Sequence, residues 1–394
     1  MKISLFVLAA TLASGWMPAN GQGNLTMHEQ IRMGDTPPIP VSLEGFSGEV
    51  ESVLRFDLYV QGFSFVSPDA AQYQITGSNN GNVEGRVTDK VSKKVILARS
   101  YTGASLRREA HALSDEIVLA ITGKKGIAEL NGSTARIAFK KQPGGYGPGE
   151  IYVSEFDGYG AQAVTHDNAI CSAPSWVPGK LALFYNSYFR NNPDIYYHDL
   201  TTGQRKTVAR YGGSNMSPAA SPDGTKVAMI LSKDGAPNVY VANADGSNLK
   251  RLTHGEEDSS PCWSPDGQWI CFATKVNERR RLAKVSVNGG EVKYLNTIGT
   301  VNPTEPDWSP DGKWIAYTRQ AGEFDICVTP ADGGSNPVVL VRGEDPSWAP
   351  NSRTLVYCRR SGGRYVLSVL DVLTKQFKDV QRISGSDSEP SWAK

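Results

Sequence analysis

The chain lacks an excess of charge of either sign. Its 394 residues include 41 Lys and Arg against 40 Asp and Glu, a formal net charge of +1. Proteins that bind nucleic acid carry a strongly basic surface that neutralises phosphates, so this balance predicts no nucleic-acid partner. The five histidines are scattered along the chain, without the short ligand spacing of a zinc site. We therefore expect neither a metal nor a cofactor.

Cysteine is also scarce, with five residues at positions 171, 262, 271, 327 and 358. An odd number without fixed spacing does not indicate a disulfide framework. We expect buried free thiols that serve as small apolar residues. Cys262 and Cys271 belong to the same stretch of sequence, and a bridge between them stays open as an alternative.

Long apolar runs are absent after the first residues of the chain. Residues 1–21 combine Lys2, the apolar run ISLFVLAATLA and the small residues of Ala19-Asn20-Gly21, which predicts a cleaved secretory signal peptide. Its apolar core is too short for a stable membrane anchor, and no later run approaches the roughly 20 apolar residues of a spanning helix. We therefore expect an exported protein without a transmembrane segment.

The sequence does contain a repeat with a period near 43 residues. PxWSPDG, or a weaker form of it, begins at prolines spaced 44, 43, 45, 40 and 44 residues apart: Pro174, Pro218, Pro261, Pro306, Pro346 and Pro390. Three copies contain an Asp-Gly turn, and alternating apolar strands, such as WICFAT at 269–274, follow most copies. Four short strands in each 40–45-residue unit are typical of a propeller blade.

The two ends of the repeat array complement each other. Residues 135–141, 150–158 and 162–166 have the pattern of outer strands, but no repeat motif precedes them. The last motif, at Pro390, offers an innermost strand with no outer strands after it. We predict that the C-terminal strand completes the first blade, so that residues 131–394 form a mainly β, six-bladed propeller without an open strand edge.

Residues 38–130 do not follow the repeat and predict a small α/β domain, preceded by a separate segment at 22–37. Residues 39–46 and 63–67 are predicted strands, and residues 48–62 carry a helical apolar stripe. A second helix is predicted from its N-cap at Ser105 to its C-cap at Gly123. His111 and Asp115 lie four residues apart on this helix, which predicts a hydrogen bond on its surface.

Together these features resemble the TolB family of the Tol-Pal envelope system. The most specific match is SYTGASLRREAHALSDEIVLAITGKKG followed by RIAFKK, which is similar to the end of the family's N-terminal domain and its first propeller strand. The resemblance covers about residues 38–394, although Ala220 replaces a repeat tryptophan and Val177-Pro178-Gly179 lacks the aspartate.

This resemblance implies a monomeric, non-catalytic periplasmic scaffold that supports outer-membrane integrity and cell division. It implies two partners, a Pal-like peptidoglycan-associated lipoprotein and a TolA-like protein. The segment QGNLTMHEQIRMGD at 22–35 does not match the part of the family that engages TolA.

Polar residues just before the repeat prolines form the candidate binding surface. In a propeller these loops surround one mouth of the central channel, where hydrogen bonds and charge complementarity suit a partner's loop. The candidates are Ser214, Ser217, Asp258, Ser259, Glu305, Asp345 and Glu389. The resemblance implies that Ser214, Ser217 and Ser259 contact a Pal-like partner. Solvated loops without a binding role stay open as an alternative.

Two other functional classes stay open. An exported propeller can bind an envelope glycan or another protein through aromatic residues such as Tyr185, Tyr188, Phe189 and Tyr211. A channel-metal hydrolase or lactonase would use oxygen ligands, for which Glu305, Asp345 and Glu389 are available. Their spacing follows the repeat, and the sequence contains no G-x-S-x-G motif of a hydrolase. We therefore expect a protein that is not an enzyme.

Overall fold

A computed structural model of the chain describes residues 33–130, 132–144 and 147–394. The predicted signal peptide and nearly all of the segment at 22–35 lie outside the described residues. Within them, no helix combines the length and the apolar character needed to cross a membrane.

The first part of the described chain is a five-stranded sheet with two helices. Its elements are β1 (Ile39–Glu44), α1 (Gly48–Tyr59), β2 (Phe63–Phe65), β3 (Tyr73–Ser78), β4 (Glu84–Asp89), β5 (Val95–Ser100) and α2 (Leu106–Thr122). The strand order is β2-β1-β3-β4-β5, and β1 runs parallel to both of its neighbours. Parallel neighbours need a crossover connection, which α1 provides between β1 and β2.

Helix α2 begins and ends at the predicted caps. The Ser105 hydroxyl accepts the N–H of Arg108 at 3.3 Å, and Gly123 ends the helix with a φ of 70°. Positive φ is accessible to glycine because it has no Cβ. The predicted apolar face is buried, with Leu113 and Ile117 packed in one core with side chains of α1 and the sheet.

The rest of the described chain forms six antiparallel, four-stranded blades, after a short hairpin of β6 (Glu129–Leu130) and β7 (Ser133–Thr134). Blade 1 contains β8 (Arg136–Gln142), β9 (Glu150–Glu155), β10 (Gln162–Ala163) and β31 (Ser386–Trp392). Blade 2 contains β11 (Cys171–Trp176), β12 (Ala182–Ser187), β13 (Asp194–Asp199) and β14 (Arg205–Ala209), and blade 3 contains β15 (Asn215–Ala220), β16 (Lys226–Leu231), β17 (Asn238–Asn243) and β18 (Lys250–Arg251). Blade 4 contains β19 (Asp258–Trp263), β20 (Trp269–Val276), β21 (Arg279–Ser286) and β22 (Lys293–Tyr294). Blade 5 contains β23 (Thr304–Trp308), β24 (Trp314–Ala321), β25 (Glu323–Pro330) and β26 (Val338–Arg342), and blade 6 contains β27 (Glu344–Trp348), β28 (Thr354–Ser361), β29 (Arg364–Asp371) and β30 (Phe377–Asp379).

The C-terminal strand closes the ring. Strand β31 pairs antiparallel with β8, so that Ser386 lies opposite Gln142 and Trp392 lies opposite Ile137. Blade 1 is therefore built from both ends of the propeller sequence, and the predicted fold of a six-bladed propeller after a small α/β region is confirmed.

The repeat tryptophans join neighbouring blades. The indole N–H of Trp176 in blade 2 donates to the backbone oxygen of Ser391 in blade 1 at 3.1 Å. Trp263 in blade 4 donates to the oxygen of Ala219 in blade 3 at 2.8 Å, and Trp348 in blade 6 is completely buried. A large ring with one N–H suits the positions of Trp176 and Trp263, because it fills the junction and its N–H bonds to the neighbouring blade.

His111 is not at the surface, so the prediction of a surface hydrogen bond with Asp115 was wrong. The imidazole is completely buried, and its Nδ1 lies 2.7 Å from Asp57 Oδ2 on α1. Its other side packs against the ring of Phe156 in the first blade, with 5.5 Å between ring centroids. The sequence of α2 alone cannot show that α1 and the first blade cover the face of the helix that carries His111.

Candidate partner-binding site at the channel mouth

Each innermost strand contains a β-bulge at its repeat proline. The strand register shifts there in all six blades, for example between Ser172 and Ser175 of blade 2. The residue before the proline has a φ of 50° to 55° in every blade: Ala173, Ser217, Ser260, Glu305, Asp345 and Glu389. We call these six the bulge residues. Left-handed backbone is uncommon for residues other than glycine, and such strained positions concentrate at functional sites.

The bulge residues surround one end of a channel through the ring. All six line a central cavity of about 550 Å³. A second cavity of about 470 Å³ continues it and shares the lining residues Ser175, Ala219, Cys262, Asp307, Ser347 and Ser391. Tryptophan and proline rings line the far end, where Lys394 Nζ donates to Asp307 Oδ2 at 2.8 Å. The polar end of the channel is therefore the end with the bulge residues, which we call the mouth.

The mouth carries charge on one half only. The bulge residues of blades 5, 6 and 1 are Glu305, Asp345 and Glu389, whereas those of blades 2, 3 and 4 are Ala173, Ser217 and Ser260. Glu344 adds a further carboxylate to the acidic half. Lys140 Nζ lies 3.1 Å from Glu389 Oε1 and neutralises part of this charge. A partner that enters the mouth meets an acidic half and a neutral half.

Backbone hydrogen bonds connect the acidic bulge residues around the ring. Each carboxylate accepts the N–H of the bulge residue in the next blade. Asp345 N lies 3.2 Å from Glu305 Oε2, and Glu389 N lies 3.2 Å from Asp345 Oδ2. Ala173 N donates to Glu389 Oε2 at 2.6 Å. These side chains thus hold the strained backbone of Asp345, Glu389 and Ala173.

Burial and mutual repulsion raise the pKa values of two carboxyls at the mouth. Burial is the main cause for Asp345, whose pKa lies well above its ordinary range, and the charges of Glu305 and Glu389 add to it. The pKa of Glu344 is raised by burial and by Glu305. Positive charges and hydrogen-bond donors relieve such repulsion. The acidic half therefore favours a ligand that brings either.

Four of the seven residues singled out from the sequence line the central cavity, namely Ser217, Glu305, Asp345 and Glu389. The other three support the loops behind it. Asp258 is buried and accepts hydrogen bonds from Asn238 and Thr253. The hydroxyl of Ser259 accepts from Arg280 at 3.2 Å, and Ser214 N donates to the Ser232 hydroxyl at 2.8 Å.

Other residues of the mouth were not singled out from the sequence. Ser260 occupies the same position as Ser217, directly before a repeat proline. That spacing could have identified Ser260, in place of Ser259, as a residue of the mouth. Ala173 follows the same rule, and Glu344 directly precedes Asp345. Lys140 offered no signal, because its contact with Glu389 spans 249 residues of sequence and exists only through ring closure.

Comparison with known proteins assigns the chain to a family. A sequence model described as the TolB beta propeller domain matches residues 119–394. The chain belongs to the TolB β-propeller family. The resemblance predicted from the sequence is therefore confirmed.

Two curated relatives show how far the similarity extends. The chain is 33% identical over 190 residues to the Tol-Pal system protein TolB of Desulfosudis oleivorans, covering 46% of this chain and 42% of the relative. It is 32% identical over 214 residues to the protein of the same name from Bordetella pertussis, covering 53% of this chain and 47% of the relative. The chain thus spans about half the length of the curated relatives that it matches.

A solved TolB structure has the same fold. The crystal structure of TolB from Acinetobacter baumannii aligns with a TM-score of 0.80 and 22% sequence identity, covering 92% of this chain and 98% of that chain. At this identity the likeness establishes the architecture, and the roles of individual residues have to be argued from this chain.

Proposed function

We propose that this protein is a non-catalytic periplasmic scaffold of a Tol-Pal system, and that its mouth binds a Pal-like peptidoglycan-associated lipoprotein. In this role it would support outer-membrane integrity and cell division. The observation that carries the proposal is the ring of six strained bulge residues, half of them acidic, around one cavity of about 550 Å³. The name that both relatives carry, Tol-Pal system protein TolB, supports a role in that system.

Three exposed apolar side chains lie at the same end of the ring as the mouth. Ile298 and Val301, 72% and 54% exposed, lie in the segment that leads into β23. Phe189, 58% exposed, follows Ser187, which pairs with the first residue of β11. All three therefore lie at the end of the ring that carries the bulge residues. They add apolar surface to this end of the ring.

The chemistry of the acidic half specifies what a partner has to present. Each acidic bulge carboxylate already accepts one backbone N–H, and a carboxylate has room for further donors. A loop that carries a basic side chain or free backbone N–H groups satisfies these acceptors. Such complementarity contributes specificity and rate of association as well as affinity.

Ser217 offers a direct test. Its side chain lines the neutral half of the mouth, and arginine tolerates its φ of 51° no worse than serine does. We expect Ser217→Arg to weaken binding of the organism's own Pal-like lipoprotein at least tenfold by calorimetry, since a bulky side chain fills the entrance. Thr201→Arg is the matched control, because Thr201 is exposed in the β13–β14 turn at the far end of the ring. Equal affinities for wild type and Ser217→Arg would remove the mouth as the binding site.

Two alternatives fit the mouth less well. Tyr185 is completely buried and cannot serve as a platform for a glycan, whereas Phe189 is exposed and Tyr188 and Tyr211 are half-buried. A channel-metal hydrolase would need the bulge carboxylates as ligands, but Glu389 is already paired with Lys140 and the spacing of these carboxylates follows the repeat. The TolA-like partner stays a prediction, since the segment at 22–35 lies almost entirely outside the described residues.

A further inference from the structure

Two cysteines face each other across neighbouring strands of blade 4. Cys262 on β19 lies directly opposite Cys271 on β20 in the antiparallel register. Directly opposed residues project to the same face of a sheet, and both belong to the apolar cluster that joins blades 4 and 5. Cys271 is completely buried, and Cys262, 8% exposed, also lines the channel.

The spacing of the ladder suits a bond between the two sulfurs. Ser264 N donates to the oxygen of Trp269, which marks these residues as a hydrogen-bonded pair. Such pairs recur at every second position, so Cys262 and Cys271 form another, with Cα atoms about 5.5 Å apart. Disulfide-linked residues have Cα separations of roughly 4.4 to 6.8 Å. The Cα separation therefore lies within the range of linked cysteines, and the Cβ atoms of such a hydrogen-bonded pair have to approach from about 5.5 Å to the roughly 3.5 to 4.5 Å of a disulfide.

The remaining cysteines have no such arrangement. They lie opposite residues that carry no thiol: Cys171 opposite Ser187, Cys327 opposite Tyr317 and Cys358 opposite Leu367. The juxtaposition in blade 4 is thus a particular feature of this pair and not a consequence of the repeat.

We propose that Cys262 and Cys271 form a disulfide bond in the mature protein. One thiolate attacks the disulfide of a dithiol oxidant to give a mixed disulfide, and the second cysteine then attacks that bond and releases the oxidant as two thiols. The protein loses two electrons and two protons, and the oxidant's disulfide takes up both. The proposal rests on the envelope location in the proposed function, because oxidising compartments maintain disulfides.

The order of events follows from burial. Burial, followed by the interaction with Cys271, raises the pKa of the Cys262 thiol well above its ordinary range. Few thiolates are then present in the folded ring, and the thiolate is the reactive form. We expect the bond to form while β19 and β20 still lack their cover from blade 5. Once formed, it ties the strand that carries the Ser260 bulge to its neighbour at the mouth.

Thiol counting tests the proposal on the full chain. The reduced protein is unfolded, refolded with a mixture of oxidised and reduced glutathione, denatured without reductant and labelled with a mass-tagged maleimide. We expect three labels in place of the five that the fully reduced chain accepts, and a peptide that joins Cys262 to Cys271 in a non-reducing digest. Adding the same glutathione mixture to the already folded protein should give the bond at least tenfold more slowly.

Matched variants distinguish this bond from other pairings. Cys262→Ser should accept four labels. Cys327→Ala, which alters a buried cysteine of the same cluster, should accept two and keep the linked peptide. Five labels on the refolded wild type, or a linked peptide that joins a different pair, would overturn the proposal, and neither measurement depends on whether a variant folds well. The experiment uses no partner, so its failure leaves the proposed function standing, and loss of lipoprotein binding leaves the disulfide standing.

Discussion

The carboxyl of Asp115 links helix α2 to the chain that leads into the propeller. Its two oxygens accept the backbone N–H groups of Ala128 at 3.0 Å and Glu129 at 2.9 Å. Burial nevertheless raises its pKa to about 7, despite these two bonds. The folded protein thus holds a proton that the unfolded chain releases near its ordinary pKa of 3.8. The protonated carboxyl of Asp115 therefore contributes to stability. This contribution is complete below about pH 4 and is lost as the pH rises through about 7.

We therefore expect the free energy of unfolding to fall between about pH 4 and pH 7, and Asp115→Asn to remove part of that slope. A pKa rise from 3.8 to about 7 corresponds to at most about 4 kcal/mol. Urea unfolding at several pH values measures the slope, with Glu116→Gln on the same helix as the control. An unchanged slope in Asp115→Asn would assign the pH dependence to other groups.

At the residue scale, the sequence indicated several residues that line the mouth, but it did not indicate which distant side chains bond to each other. Ser217, Glu305, Asp345 and Glu389 were found because each stands directly before a repeat proline. The buried bond between His111 and Asp57 was not found, because it joins two helices whose relative placement has no local signal.

At the scale of elements, an ion-pair network fastens α2 to the first blade. The side chain of Arg107 is 7% exposed, and its Nη2 lies 2.8 Å from Glu155 Oε2 and also contacts Asp157 Oδ2. Asp157 is 5% exposed and forms a nearly buried ion pair with this guanidinium. Removal of one partner from a buried ion pair leaves an uncompensated charge, which usually costs more than the pair contributes.

We expect Arg107→Met to lower the free energy of unfolding by about 3 to 5 kcal/mol. Arg99→Met is the matched control, because Arg99 is 52% exposed and its ion pair with Glu116 lies at the surface. Exposed pairs contribute about 0 to 1 kcal/mol. Urea unfolding of the two variants gives the comparison, and equal losses would show that the network around Arg107 does not fasten the helix.

Most elements were predictable because their signals are local. Helix α2 has a 3.6-residue apolar pattern with a serine cap and a terminal glycine, and the structure ends it at Thr122, directly before the predicted cap at Gly123. The middle strands of the blades are short, largely apolar runs, such as Lys226–Leu231 and Trp269–Val276, that are bounded by turns. The bulges were not predicted, because the sequence does not show the hydrogen bonds between blades that accompany them, such as Asp345 N to Glu305 and Glu389 N to Asp345.

At the scale of the whole molecule, closure of the ring brings the ends of the propeller together. The sequence predicted closure because the repeat count left one blade without an innermost strand. It did not predict the distribution of charge at the mouth, where the acidic residues of blades 5, 6 and 1 become neighbours of Lys140 only through closure. Closure thus determines both the stability of the ring and the electrostatics of the proposed binding site.

Truncation after Gly385 removes β31 and tests both consequences. The loss exposes the edge of β8 and removes Trp392, which is 1% exposed and stacks on Phe156. Burial of an aromatic of this size usually stabilises a fold by about 3 to 5 kcal/mol, and the lost strand pairing adds to that. We expect the melting temperature to fall by at least about 10 °C. Deletion of Lys394 alone, whose ion pair with Asp307 is partly exposed, should shift it by only one or two degrees. If the truncated protein has the melting temperature of the wild type, β31 does not hold the ring closed. If its melting temperature is lower but it binds the lipoprotein with unchanged affinity, the binding site does not include Glu389.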